Sequence, residues 1–113
     1  MILLTKELLQ KLPSTNKASA MKDPTVWVKF FFPDGGWTRF VCGYDPETDL
    51  CWGLVDGYEI EIGDFSLVEL RQIRGNYGCT LERDLYFSPR PMSQLAKDLR
   101  QQYPTRKIWG WSR

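Results

Sequence analysis

The sequence predicts a single α+β domain: an antiparallel β-meander of about five strands with an N-terminal helix, a short helix near 67–73 and a C-terminal helix near 93–102. Three observations carry this reading. Between Trp27 and Ile62, four strand-like runs are separated by three turn signals. Leucines at positions 3, 4, 8, 9 and 12 follow helical spacing ahead of the sheet. Capped or proline-bounded helical runs follow it.

The first run, Val26 to Phe32, is β-branched and aromatic, and Pro33-Asp34-Gly35-Gly36 supplies residues that tolerate positive φ, so the chain can reverse. The second, Trp37 to Tyr44, alternates with a period of two. Asp45-Pro46-Glu47-Thr48 reads as a type I turn. The third run, Leu50 to Val55, meets Asp56-Gly57, which suits a type I′ hairpin. In the fourth, Tyr58, Ile60 and Ile62 are assigned to the core face and Glu59 and Glu61 to the other. Connections this short allow only antiparallel neighbours.

Thr5 can cap a helix that begins at Lys6 and stops before Pro13. Residues 14–24 are polar with few anchors and are expected to be a mobile linker. Ser66 and Glu69 have the spacing of a capping box, opening a helix from Leu67 to about Ile73 that Gly75 and its neighbours end. Thr80 to Phe87 alternates and carries the charges of an edge strand. Ser93 is the expected cap of the last helix, which bears Leu95, Ala96 and Leu99 and closes at Tyr103-Pro104. Residues 104–113 form a basic, aromatic tail without helical or strand period.

With 113 residues, one domain should bury roughly 65% of its unfolded surface, so folding needs no cofactor, and none is expected. A formal net charge of +1 does not describe a chain built to coat nucleic acid, although a local basic patch fits within that total. Cys42, Cys51 and Cys79 make no C-x-x-C pair and no histidine is present, which argues for reduced thiols and against structural zinc. No stretch approaches 18 apolar residues, so a cytoplasmic protein without membrane contact is expected.

The same absence of histidine removes the commonest general base and any Ser-His or Cys-His nucleophile. A divalent-cation site from Asp56, Glu59, Glu61, Glu82 and Asp84 requires the fourth and fifth strands to be neighbours. The competing reading is a solvated, salt-bridged face. Five Trp, five Tyr and six Phe offer more binding surface than catalysis. Phe30, Phe32, Trp52, Tyr58 and Phe65 are assigned to the core. On an uncovered sheet face, Trp27, Lys29, Phe31, Trp37 and Arg39 would combine rings and cations, as single-strand nucleic-acid binders or protein anchors do; otherwise a helix covers them. In the tail, Arg106, Lys107, Trp109, Trp111 and Arg113 form either a partner anchor or a hydrophobic latch onto the domain.

The segments VKFFFPDGGWTRF, YDPETDLCWGLVDGYEIEIGDFSLVEL and LERDLYFSPRPMSQL together resemble the bacterial family catalogued as domain of unknown function 2958, found on plasmids, phages and integrative elements. The resemblance runs from about Leu4 to Leu95. It implies a small protein of a mobile element, and by analogy with other such proteins one that binds and modulates a host protein such as a restriction or CRISPR nuclease. A single-stranded nucleic-acid-binding accessory and a metal-dependent enzyme are the alternatives. The sequence leaves the oligomeric state open.

Overall fold

A computed structural model describes residues 1–111. In chain order the elements are α1 Lys6–Lys11, α2 Thr15–Ala20, β1 Thr25–Val26, β2 Val28–Phe31, β3 Thr38–Asp45, β4 Leu50–Asp56, β5 Ile60–Ser66, α3 Leu67–Gln72, β6 Glu82–Arg83, β7 Arg90–Pro91, α4 Met92–Gln102 and β8 Ile108–Trp109. The six-stranded sheet has the order β6-β2-β3-β4-β5-β8, and β1 pairs with β7 in a separate two-stranded ribbon. The α+β meander expected from the turn signals is therefore present as β2-β3-β4-β5, antiparallel throughout.

Alternation along the strands gives the sheet two apolar faces, and both are covered. On one, Val28, Phe30, Val41 and Cys51 pack with Leu3 and Leu12 flanking α1 and with Leu67 and Leu70 of α3. On the other, Phe40, Cys42, Leu54 and Ile60 pack with Ala18 of α2 and with Met92, Leu95, Ala96 and Leu99 of α4. The uncovered sheet face required for a flat stacking platform is thus absent among the described residues. Burial pushes the Cys42 and Cys51 thiols up to about 12 each, because a thiolate loses its hydration there.

Several local expectations are corrected. Residues 14–24, expected as a mobile linker, hold α2. Ser14 accepts from the Lys17 backbone N–H as its cap, and Ala18 is fully buried. The Asp45 carboxylate accepts from both the Thr15 N–H (2.9 Å) and its hydroxyl (2.7 Å), which fastens the helix to the end of β3. Asp23 takes the capping role assigned to Ser93. The last helix begins one residue earlier, at Met92, and Ser93 donates its N–H and hydroxyl to Asp23.

The fifth strand shrinks to Glu82–Arg83 and lies at the β2 edge, with Phe30 opposite Arg83. It is an edge strand, as its charges suggested, but at the opposite side of the sheet from β5. The tail, read as aperiodic, contributes β8, which pairs parallel to β5 with Ile60 opposite Ile108. Asp56-Gly57 does begin a reversal, but through a loop of Gly57, Tyr58 and Glu59 closed by the Gly57 N–H on the Glu59 carbonyl (3.0 Å). Neither Asp56 nor Gly57 has positive φ, so this is not a type I′ turn. Tyr58, assigned to the core, stands at the tip of that loop and is 90% exposed.

Candidate functional site

The β4–β5 loop gathers side chains from three distant parts of the sequence. Trp37, just before β3, lies on Gly57 and meets Tyr58 edge-on, with ring centroids 5.2 Å apart. Arg106, from the segment after α4, donates to Asp56 Oδ1 (2.9 Å) and to the Gly57 carbonyl (2.7 Å), with Tyr58's carbonyl at 3.3 Å. Its guanidinium also covers the Tyr103 ring at 5.0 Å. Arg106 is therefore committed to holding the loop rather than free to meet a partner's acidic surface. Beyond it, Lys107 stands over the Trp109 ring at 4.1 Å, and both line a hollow with Tyr58, Glu59 and Ile60. Trp37, Tyr58 and Trp109 thus form an exposed aromatic rim at one end of the sheet.

The tail's two indoles have separate fates. Trp111 is 5% exposed and sits in the core with Ile108 and the α4 leucines, so it is the latch. Trp109, opposite in phase to buried Ile108 in β8 and separated from Trp111 by Gly110 at positive φ, stays half-exposed. Arg113 lies outside the described residues.

On the other side of Trp37, a groove of about 280 Å³ is lined by Phe32, Gly36, Trp37, Arg39, Ile73, Arg74, Gly75 and Asn76. Arg39 is 8% exposed; its Nη1 donates to the Trp37 carbonyl (3.1 Å) and its guanidinium lies 5.5 Å from the Trp37 ring centre. Burial lowers its pKa below the ordinary arginine value, because the charged form has lost water. Arg74 donates to the Arg71 and Ile73 carbonyls and is exposed. Asp34 positions the outer wall by accepting from the Tyr77 (2.6 Å) and Cys79 (3.0 Å) N–H groups, the Cys79 bond being the chief reason that its pKa is lowered.

The remaining residues proposed from sequence do not join this site. Trp27 packs half-buried against the α1-side core, with the Lys11 ammonium 6.0 Å from its ring centre. Lys29 pairs with Asp84 at 3.6 Å, and Phe31 is half-buried opposite Glu82. Of the sheet residues considered together, only Trp37 and Arg39 meet. The carboxylates are likewise split: Asp56, Glu59 and Glu61 belong to the β4–β5 hairpin, whereas Glu82 and Asp84 lie at or beyond the β6 edge. No group of three acidic, histidine or cysteine side chains among the described residues could hold a metal ion.

Tyr58, Arg74 and Asn76 were missed. Tyr58 could have been found from a three-residue loop, which places it at the apex. Arg74 and Asn76 belong to the loop that Asp34 holds through the Tyr77 and Cys79 N–H groups, 43 and 45 positions away, and no local pattern signals that tie.

A family model described as a protein of unknown function, DUF2958, matches residues 3–103. No curated protein and no solved structure matches the chain. No helix among the described residues is long and apolar enough to cross a membrane.

Proposed function

Because this chain belongs to the DUF2958 family, described only as proteins of unknown function, we propose a role from its surface chemistry: a small interaction protein that anchors a protein partner on the Trp37–Tyr58–Trp109 rim. The observation supporting this reading is that three aromatic rings from three sequence regions stay exposed around a loop braced by Arg106. Rigid, half-exposed aromatics lose little conformational entropy on docking and dominate the energetics of protein interfaces. The family's association with mobile elements, implied by the resemblance, gives a finer version: the partner is a host protein such as a nucleic-acid-directed defence nuclease, which the small protein modulates. The proposal is of a binder rather than an enzyme, since the sequence has no histidine and its carboxylates are divided between the two ends of the sheet.

A second reading, a single-stranded nucleic-acid accessory, is favoured by one feature, the Lys107 ammonium stacked on Trp109. Affinity capture from the native host, with and without nuclease, separates the two. The expected result is a nuclease-resistant protein partner, lost at least tenfold with Trp37→Ala/Tyr58→Ala/Trp109→Ala and retained with Tyr86→Ala beyond the opposite edge strand. Undiminished capture by the triple variant contradicts the rim as anchor; capture that vanishes with nuclease supports the second reading.

A further inference from the structure

The groove beside the rim is lined by two guanidinium groups, those of Arg39 and Arg74. Arg39 is more than nine-tenths buried, yet no ion pair among the described residues includes either Arg39 or Arg74. The hydrogen bond that Arg39 makes, to the neutral Trp37 carbonyl, engages one of its five N–H donors. Its remaining donors are not sealed off but open onto the groove, with the guanidinium held beside the Trp37 ring. The groove it lines holds a second guanidinium, the Asn76 amide and an indole wall, while the Asp34 carboxylate against Gly75 is engaged by the Tyr77 and Cys79 N–H groups.

We propose that this groove is the acidic-side-chain pocket of the docking surface: Arg39 and Arg74 take the carboxylate of an Asp or Glu on the protein partner while Trp37 packs against its stem. The inference rests on the rim being a docking surface and names the chemistry that it recognises. A planar guanidinium fork matches a carboxylate in two parallel hydrogen bonds, and desolvation makes such a pair worth more than at an open surface. A phosphate chain fits less well. A nucleic-acid backbone brings a charge with each nucleotide and needs a continuous cationic track, whereas in the hollow at Tyr58 exposed Glu59 interrupts the surface beside Lys107. A discrete carboxylate needs only the groove.

The test uses the full-length protein, labelled with ¹⁵N, and follows the Arg39 Nε–H and Trp37 indole N–H signals during titration with N-acetylglutamate, inorganic phosphate and a short oligothymidylate in turn. N-acetylglutamate should shift both signals in saturable fashion in the millimolar range. Arg39→Gln should weaken that binding at least tenfold without lowering the melting temperature, and Arg74→Gln, at an exposed position, should weaken it several-fold. Absence of a shift, tighter binding of phosphate or oligothymidylate, or unchanged binding by Arg74→Gln overturns the proposal. Partner capture distinguishes the two levels: Arg74→Gln should reduce it. If Arg74→Gln captures like wild type while the rim variant does not, the groove assignment falls and the docking rim stands.

Discussion

A Cβ built on Gly57 would stand 2.6 Å from the Trp37 ring, so the indole rests directly on the backbone of the β4–β5 loop. The glycine is required there for space and not for a left-handed backbone, since its φ is not positive. Gly57→Ala should therefore push the ring off the loop, breaking the edge-on contact with Tyr58 and costing about 1–3 kcal/mol, the range for forcing an extra methyl into a packed site. Loss of Trp37–Tyr58 cross-peaks in a NOESY spectrum, with a lower melting temperature, is the expected readout. Unchanged cross-peaks would show that the ring yields without leaving.

The tail should separate into a structural and a binding part. Removing everything after Pro104 exposes the Trp111 and Ile108 sites and deletes β8, and burial of two large apolar side chains corresponds to roughly 3–6 kcal/mol as an upper figure. Trp109→Ala should stay within about 0.5 kcal/mol of wild type, as surface substitutions do. Urea unfolding curves of the two variants check this, and equal destabilisation by both contradicts the division.

These two positions also show how far the sequence could be read. The meander followed from alternation and turn residues because strand pairing across short loops is a local matter. Thr5 and Ser66 cap their helices as their spacing suggests, accepting from Leu8 and Glu69 respectively. What escaped was set by contacts between remote segments. Residues 14–24 looked unanchored because their anchor, Asp45, lies 30 positions on, and Ser93 looked like a cap because Asp23, 70 positions back, was out of view. The binding candidates divided in the same way. Trp37 and Arg39 meet because they are near in sequence, whereas their union with Tyr58, Arg74 and Trp109 depends on where β5, the loop after α3 and β8 come to rest.

The cysteines should report burial chemically. Cys42 and Cys51 need a thiolate to react, and burial has pushed both up to about 12; desolvation and the Asp34 carboxylate raise the Cys79 thiol as well, but it is only partly buried and open to a reagent. Iodoacetamide at pH 8 should label Cys79 alone in the folded protein and all three thiols after denaturation. Mass spectrometry of digested protein reads the sites, and labelling of Cys42 at a rate matching Cys79 would contradict the packed core between α2 and the sheet.

Acid should loosen the outer wall of the groove only below the ordinary aspartate range. Asp34 holds the loop of Tyr77 and Cys79 by accepting their N–H groups, and its pKa is lowered from the ordinary 3.8 chiefly by the Cys79 hydrogen bond. A depressed carboxylate binds its proton less readily folded than unfolded, so its stabilisation is complete above the unfolded value and is lost as pH falls through the folded one. Asp45 follows the same sign, its hydrogen bonds from the Thr15 hydroxyl and N–H lowering its pKa. Stability should thus be insensitive to these groups above about pH 5 and decline below the ordinary aspartate range. Asp34→Ala should reproduce the local effect at neutral pH: faster amide exchange at Tyr77 and Cys79, and weaker N-acetylglutamate binding because Asn76 and Arg74 lose their fixed wall. Asp45→Ala should instead speed exchange in α2 and leave the groove titration unchanged. If Asp34→Ala leaves exchange at Tyr77 and Cys79 as slow as in wild type, the loop is held by something other than that carboxylate.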